Sequence, residues 1–225
     1  MSTRTFLQGA ADNSNLTTYT FSSQNLGTAD GARLIICGIA SRAGGSSTIS
    51  SVTIGGVSAT IVVQINTSAD SGWNSAGIVI AAVPTGTTGD VVITFSAGQA
   101  RCAIALYSTI DTASETASDT DSNAAADPSV SIDCPASGYI IAVACFSVGT
   151  GTTTWTGVTE DYDVNPENVA NTTMASDNFA SAQTGLTVSA NSTLANGTMV
   201  VASWGPAGGG GGNRRRRSLL CGSAA

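Results

Sequence analysis

Short apolar runs punctuate the chain, each closed by Gly, Pro, Asn, Asp or Ser. Residues 17–21 form the first. Residues 33–40 follow as an apolar run behind a leading arginine, the pattern of a strand covered on both faces. Residues 49–54 and 59–65 flank Gly55-Gly56, where both turn positions are free to take positive φ, so a hairpin is expected. Strands at 77–83, 90–95 and 101–108 complete this part, and further ones are expected at 129–133, 139–148, 154–163, 172–179, 186–190 and 198–204. No segment sustains a helical period. The pattern predicts an all-β fold, a jelly-roll-like β-sandwich of about twelve to thirteen short strands.

Residues 111–127 interrupt this rhythm: they are acidic and small, with no large apolar side chain, and read as an exposed connection. The two sides of it run in the same order. Each has a short strand, then a Gly-preceded apolar run (Gly31-Ala32-Arg33-Leu34-Ile35-Ile36 and Gly138-Tyr139-Ile140-Ile141-Ala142-Val143), then a hairpin region and three strands. An old duplication into halves 1–110 and 128–206 explains this, and so does the self-resemblance of any Ala/Val/Thr-rich β chain. Because the connection is not Pro-rich, one compact body over residues 1–206 is the preferred reading. After Trp204-Gly205-Pro206 the composition changes, and residues 207–225 read as a flexible Gly/Arg-rich tail.

Composition sharpens the picture mainly by exclusion. The 225 residues contain no His, and all eight basic residues are Arg. Without His there is no Ser–His–Asp or Cys–His pair and no imidazole metal site. Without Lys there is no Schiff base and no phosphate-binding lysine. Catalysis on carboxylates alone remains open, but the expectation is a protein that is not an enzyme. Ser and Thr make up roughly a quarter of the chain, well above ordinary usage.

The charge is uneven. Residues 1–213 hold four arginines against all fifteen acids, a net charge of −11, and such a body repels nucleic acid and anionic membranes. Five cysteines form no CxxC pair, and the odd count suits a reducing cytosol. Met1-Ser2-Thr3-Arg4-Thr5-Phe6 lacks the apolar stretch of a secretory signal, and no run is long enough for a membrane span.

Candidate chemistry is sparse. In Glu160-Asp161-Tyr162-Asp163, a regular strand points Asp161 and Asp163 to the same side, where they are the weak candidates for a Ca²⁺ site or a carboxylate pair. Glu160 falls on the other side, and the glycine-turn spacing of a calcium loop is absent. A solvated, charge-protected strand edge accounts for the same residues. No other cofactor is implied. Asp119 and Asp121 admit a divalent ion or a plain solvated loop. Trp73, Trp155 and Trp204 offer sugar-stacking surface or core packing.

The arginine run is the most specific feature. Arg214, Arg215, Arg216 and Arg217 follow five glycines, and Leu219 and Leu220 follow them, so a basic-plus-apolar anchor for a partner is one reading and an unstructured tail another.

Three phrases carry a resemblance: residues 49–60 (ISSVTIGGVSAT), 82–93 (AVPTGTTGDVVI) and 155–163 (WTGVTEDYD). In style they resemble β-rich virion structural proteins of tailed bacteriophages, over about residues 17–205. The resemblance implies a capsid decoration (cement) protein or a tail or fibre component, made in the host cytoplasm and carried on the virion. It implies other capsid or tail proteins as partners, with self-association. It transfers no catalytic residue. A carbohydrate-binding or adhesin module for host attachment is the alternative, and a carboxylate-dependent glycosidase the remote third reading.

Overall fold

The computed structural model describes residues 3–207 except 148, 150, 169 and 195. The strands are β1 (Thr3–Asp12), β2 (Leu16–Asn25), β3 (Leu34–Ala43), β4 (Ile49–Ile54), β5 (Val57–Ser58), β6 (Thr60–Ala69), β7 (Gly72–Ala82), β8 (Thr88–Gln99) and β9 (Arg101–Ile110). They continue as β10 (Asp119–Ala125), β11 (Ser129–Cys134), β12 (Gly138–Phe146), β13 (Thr153–Thr156), β14 (Thr159–Val164), β15 (Asn171–Phe179), β16 (Gln183–Ser192) and β17 (Gly197–Trp204). The fold is all-β, as expected, with seventeen strands among the described residues rather than twelve or thirteen. Among the described residues the only helical element is the short 3₁₀ turn Pro166–Asn168.

Four antiparallel sheets stack in layers. An outer sheet β2-β8-β4-β5 covers an inner sheet β1-β9-β3-β7-β6; a second inner sheet β10-β17-β12-β15-β14 is covered by an outer sheet β11-β16-β13. Three apolar cores separate the layers. The first, between outer and inner sheets, holds Tyr19, Val52, Ile93 and Phe95 against Ile35, Ile39, Val79 and Leu106. The second joins the two inner sheets, Ile36, Ile78, Ile80 and Tyr107 against Tyr139, Ile141, Val143 and Trp204. The third holds Ile140, Phe146 and Val201 against Ile132, Val188 and Ala190.

This stack explains the sequence pattern. An inner strand is covered on both faces, so period-two alternation disappears: all nine residues of β12 are buried. An outer strand keeps one wet face, and β11 alternates strictly between exposed and buried.

The halves share one topology. In the first, β1 pairs with β9, β2 with β8, β3 with β7 and β4 with β5, a nested order. In the second, β10 pairs with β17, β11 with β16 and β12 with β15. Strand by strand, β10-β17-β12-β15-β14 reproduces β1-β9-β3-β7-β6. The inner sheets pack closely at Gly38, where a Cβ would lie 2.7 Å from Val143 Cγ2.

Four details depart from the sequence reading. β1 was not expected; Phe6 faces the central core and Leu7 the first, and the bulge between Phe6 and Gln8 breaks the alternation beyond Leu7. The supposed connection at 111–127 contains β10, an edge strand whose ladder to β17 needs no large side chain, so the second half begins there. Gly55 and Gly56 do turn a hairpin at φ 58° and 81°, but its return strand is only β5; β6 crosses to the inner sheet and pairs with β7. The single strand expected at 154–163 is two, β13 and β14, in different sheets. Gly157, at φ 82°, makes the corner between them.

Candidate functional site

Of the polar groups that sequence reading singled out, Asp161 lies on the seam between the two inner sheets. β14 is bulged between Glu160 and Tyr162: Glu160 faces Ala175 and Tyr162 faces Met174, leaving Asp161 as the extra residue. The bulge overturns the expected pairing of Asp161 with Asp163. Asp161 turns with Tyr162 toward β1, meeting Arg4 at 3.5 Å and accepting the Ser176 hydroxyl. Asp163 faces the other way and accepts the Asn171 side-chain amide at 2.7 Å. On that same side Glu160 accepts the Thr173 hydroxyl at 3.4 Å, and Thr173 in turn accepts the Trp155 indole N–H at 2.9 Å.

All three carboxyls are held above their ordinary range, in each case chiefly by burial. For Glu160 the neighbouring Asp163 adds to the effect; for Asp161, Ser176 and Arg4 oppose it; for Asp163, Asn171 does. Each is engaged by protein donors, and no group of three or more metal-ligating side chains occurs among the described residues. Asp119 is likewise in use, accepting the backbone N–H of Asp133 at 2.8 Å.

The four arginines of the body are all absorbed by the fold. Arg33, 1% exposed, donates to the carbonyls of Leu26, Gly27, Val83, Thr85 and Gly86 and so ties the β2–β3 loop to the β7–β8 turn. Arg42 donates to Asn74 and to the Ala69 carbonyl. Asn74 crosses to the Asn196 carbonyl in the second half. Arg101 pairs with Glu167, and Arg4 with Asp161, both across the seam. Of fifteen acids, two meet an arginine at ion-pair distance among the described residues. The outward charge of the body is therefore almost entirely negative.

The aromatic residues are also inward. Trp204 stacks on Tyr139 with ring centroids 5.6 Å apart, while Trp73 and Trp155 are half-buried. No Trp, Tyr or Phe is exposed, so the stacking face that sugar binding calls for is absent among the described residues.

One concavity was not foreseen. An open groove of about 340 Å³ runs between β1 and the β2–β3 loop, lined by Leu7, Ala29, Asp30, Thr109 and Ile110 among others. Ile110 is 37% exposed, one of three large apolar side chains exposed among the described residues. The sequence signal, an apolar residue directly before the acidic run at Asp111, was there to be read. Next to it the last described residues are held: the N–H of Ala207 donates to the Asp111 carbonyl, and Pro206 bridges to Thr112. Arg214, Arg215, Arg216, Arg217, Leu219 and Leu220 lie outside the described residues. Compared with known proteins, the chain matches no family model, no curated protein and no solved structure.

Proposed function

We propose that the chain is a non-enzymatic structural protein of a bacteriophage virion, a capsid decoration or tail component acting through protein–protein contacts. One observation carries the reading: the nested strand pairing of both halves. We read that order as two jelly rolls back to back, the jelly roll being a fold that recurs in viral capsid domains as well as in lectins and cupins. Two features support it. The buried polar groups at the seam serve to lock the halves together, and the outer faces are Ser/Thr-rich, suited to repeated contacts between subunits. The Arg-Leu-Leu segment is the anchor in this reading, directed at an acidic or anionic surface of a partner virion protein.

The test is particle association. Particles from a lysate are banded on a density gradient, treated with high salt and probed for the chain by mass spectrometry. Recovery in the particle band in fixed ratio to the major capsid protein is expected. Recovery only in the soluble fraction overturns the proposal.

A further inference from the structure

We propose that the groove beside Ile110 is the docking site of the chain's own Arg214–Leu220 segment. Three independent observations converge there. The groove combines apolar walls, Leu7, Ala29 and Ile110, with a carboxylate, Asp30, and Asp111 follows Ile110 directly in the chain. Neither acid lies at ion-pair distance from a cation among the described residues. The described part of the chain ends beside the groove, where Ala207 is held on the Asp111 carbonyl, one residue from Ile110. Finally, each of the four arginines among the described residues is engaged within the body, and the sequence's other four, Arg214–Arg217, are followed after Ser218 by Leu219-Leu220.

The reach is adequate. Leu219 lies twelve positions beyond Ala207, across five consecutive glycines. A glycine-rich coil of that length spans about 20 Å. Tethering beside the groove also raises the local concentration of the segment to the order of millimolar, so weak contacts suffice for occupancy. Docking removes Ile110 and Leu7 from water, and the arginines lie over Asp30 and Asp111. In a particle, the same groove would compete with a partner surface for the segment. The inference concerns the isolated chain and holds or fails independently of the virion reading.

Cys221 supplies the probe, one residue beyond Leu220. Cys37, Cys102, Cys134 and Cys145 are buried and spared by labelling under native conditions. A nitroxide is attached to Cys221 of the 225-residue chain, and methyl NMR signals are compared before and after its reduction. Loss of the Leu7, Ala29 and Ile110 signals is expected, with Leu16, at the far end of β2, unaffected. High salt, or the combined changes Arg214→Ser, Arg215→Ser, Arg216→Ser and Arg217→Ser, should restore the lost signals. Without any label, Leu219→Ser with Leu220→Ser should shift the Ile110 methyl resonance. Full groove signals in the labelled chain, with no shift in the double variant, overturn the proposal. Mixing a labelled, isotope-free chain with an unlabelled isotopic one tests the source. Equal signal loss in that mixture assigns the groove to a neighbouring copy and overturns docking by the same chain.

Discussion

Arg4 and Asp161 stand 157 residues apart in sequence, yet Nη1 of one lies 3.5 Å from Oδ1 of the other, with side chains 11% and 14% exposed. Their contact joins the first strand of one half to the bulge of the other. The same guanidinium lies over the Tyr107 ring, 5.9 Å from its centroid. Removing Arg4 leaves a nearly buried carboxylate without its cation, so Arg4→Ala is expected to cost about 3 kcal/mol in unfolding free energy. Pairing it with Asp161→Asn should recover much of that loss. A double-mutant cycle in chemical denaturation measures the coupling, and additive costs would show that the ion pair does not join the halves.

The acids on β14 set an unusual pH response. Glu160, Asp161 and Asp163 are all held above their ordinary range by burial, so the native state takes up their protons more readily than the unfolded chain. Stability therefore falls as pH rises from about 4, the ordinary carboxylate range, through the raised native values, and levels off above them. Acidification from neutrality should raise the melting temperature until that lower bound. Replacing all three with their amides should flatten the profile; an unchanged slope would assign the response to the other acids.

Arg33 makes a prediction that separates arginine from lysine. Five carbonyls converge on one planar guanidinium at 2.7 to 3.0 Å. An ammonium offers three donors from a single point and cannot serve both loops. Arg33→Lys should cost at least about 2 kcal/mol and Arg33→Met more, because buried carbonyls are left unpaired. Thermal unfolding of both variants checks the order, and a neutral Lys variant would mean that water replaces the missing donors.

Much of this architecture was legible in the sequence, and the failures share a cause. Residues 33–40 read correctly as a central strand because burial on both faces leaves an unbroken apolar run, and the strand expected at 139–148 is β12, covered in the same way. β10 escaped because an edge strand of Asp, Ser, Thr and Ala is held by its backbone ladder, which leaves no hydrophobic trace. The Asp161–Asp163 pairing failed because it assumed a regular strand, and one inserted residue reverses every face that follows. The similar order of the two halves was visible in their apolar runs. Their stacking through a shared central core was not, since side-chain period reports whether a face is covered and not by what.

Gly38 tests that stacking directly. A methyl group there would sit 2.7 Å from Val143 Cγ2, between the two inner sheets, with Met174 Cγ 3.5 Å away. Gly38→Ala should destabilise the chain by about 1 to 3 kcal/mol, the usual cost of overpacking a filled core. Val143→Ala alone should also destabilise it, through the cavity it leaves. Together the two changes should cost less than their sum, because the new methyl enters the space that Val143 vacates. Denaturant titrations of the two single variants and the double supply the numbers, and strict additivity would mean that Gly38 and Val143 are not in contact.

The thiols give a count that any laboratory can obtain. Burial pushes Cys134 up to about 11 and Cys145 to about 12, and it raises Cys37 and Cys102 as well. None of the four presents thiolate at neutral pH, and all four are enclosed in strands of the layered cores. Titration with a chromogenic disulfide under native conditions should therefore register one reactive thiol, Cys221, and five once the chain is denatured. Because Cys37 and Cys102 belong to the first core, Cys145 to the central one and Cys134 to the third, the order in which they react in rising denaturant reports which layer opens first. Simultaneous exposure of all four is expected if the shared central core makes the two halves unfold as one unit. Early release of Cys134 alone would show instead that the β11-β16-β13 sheet separates before the rest.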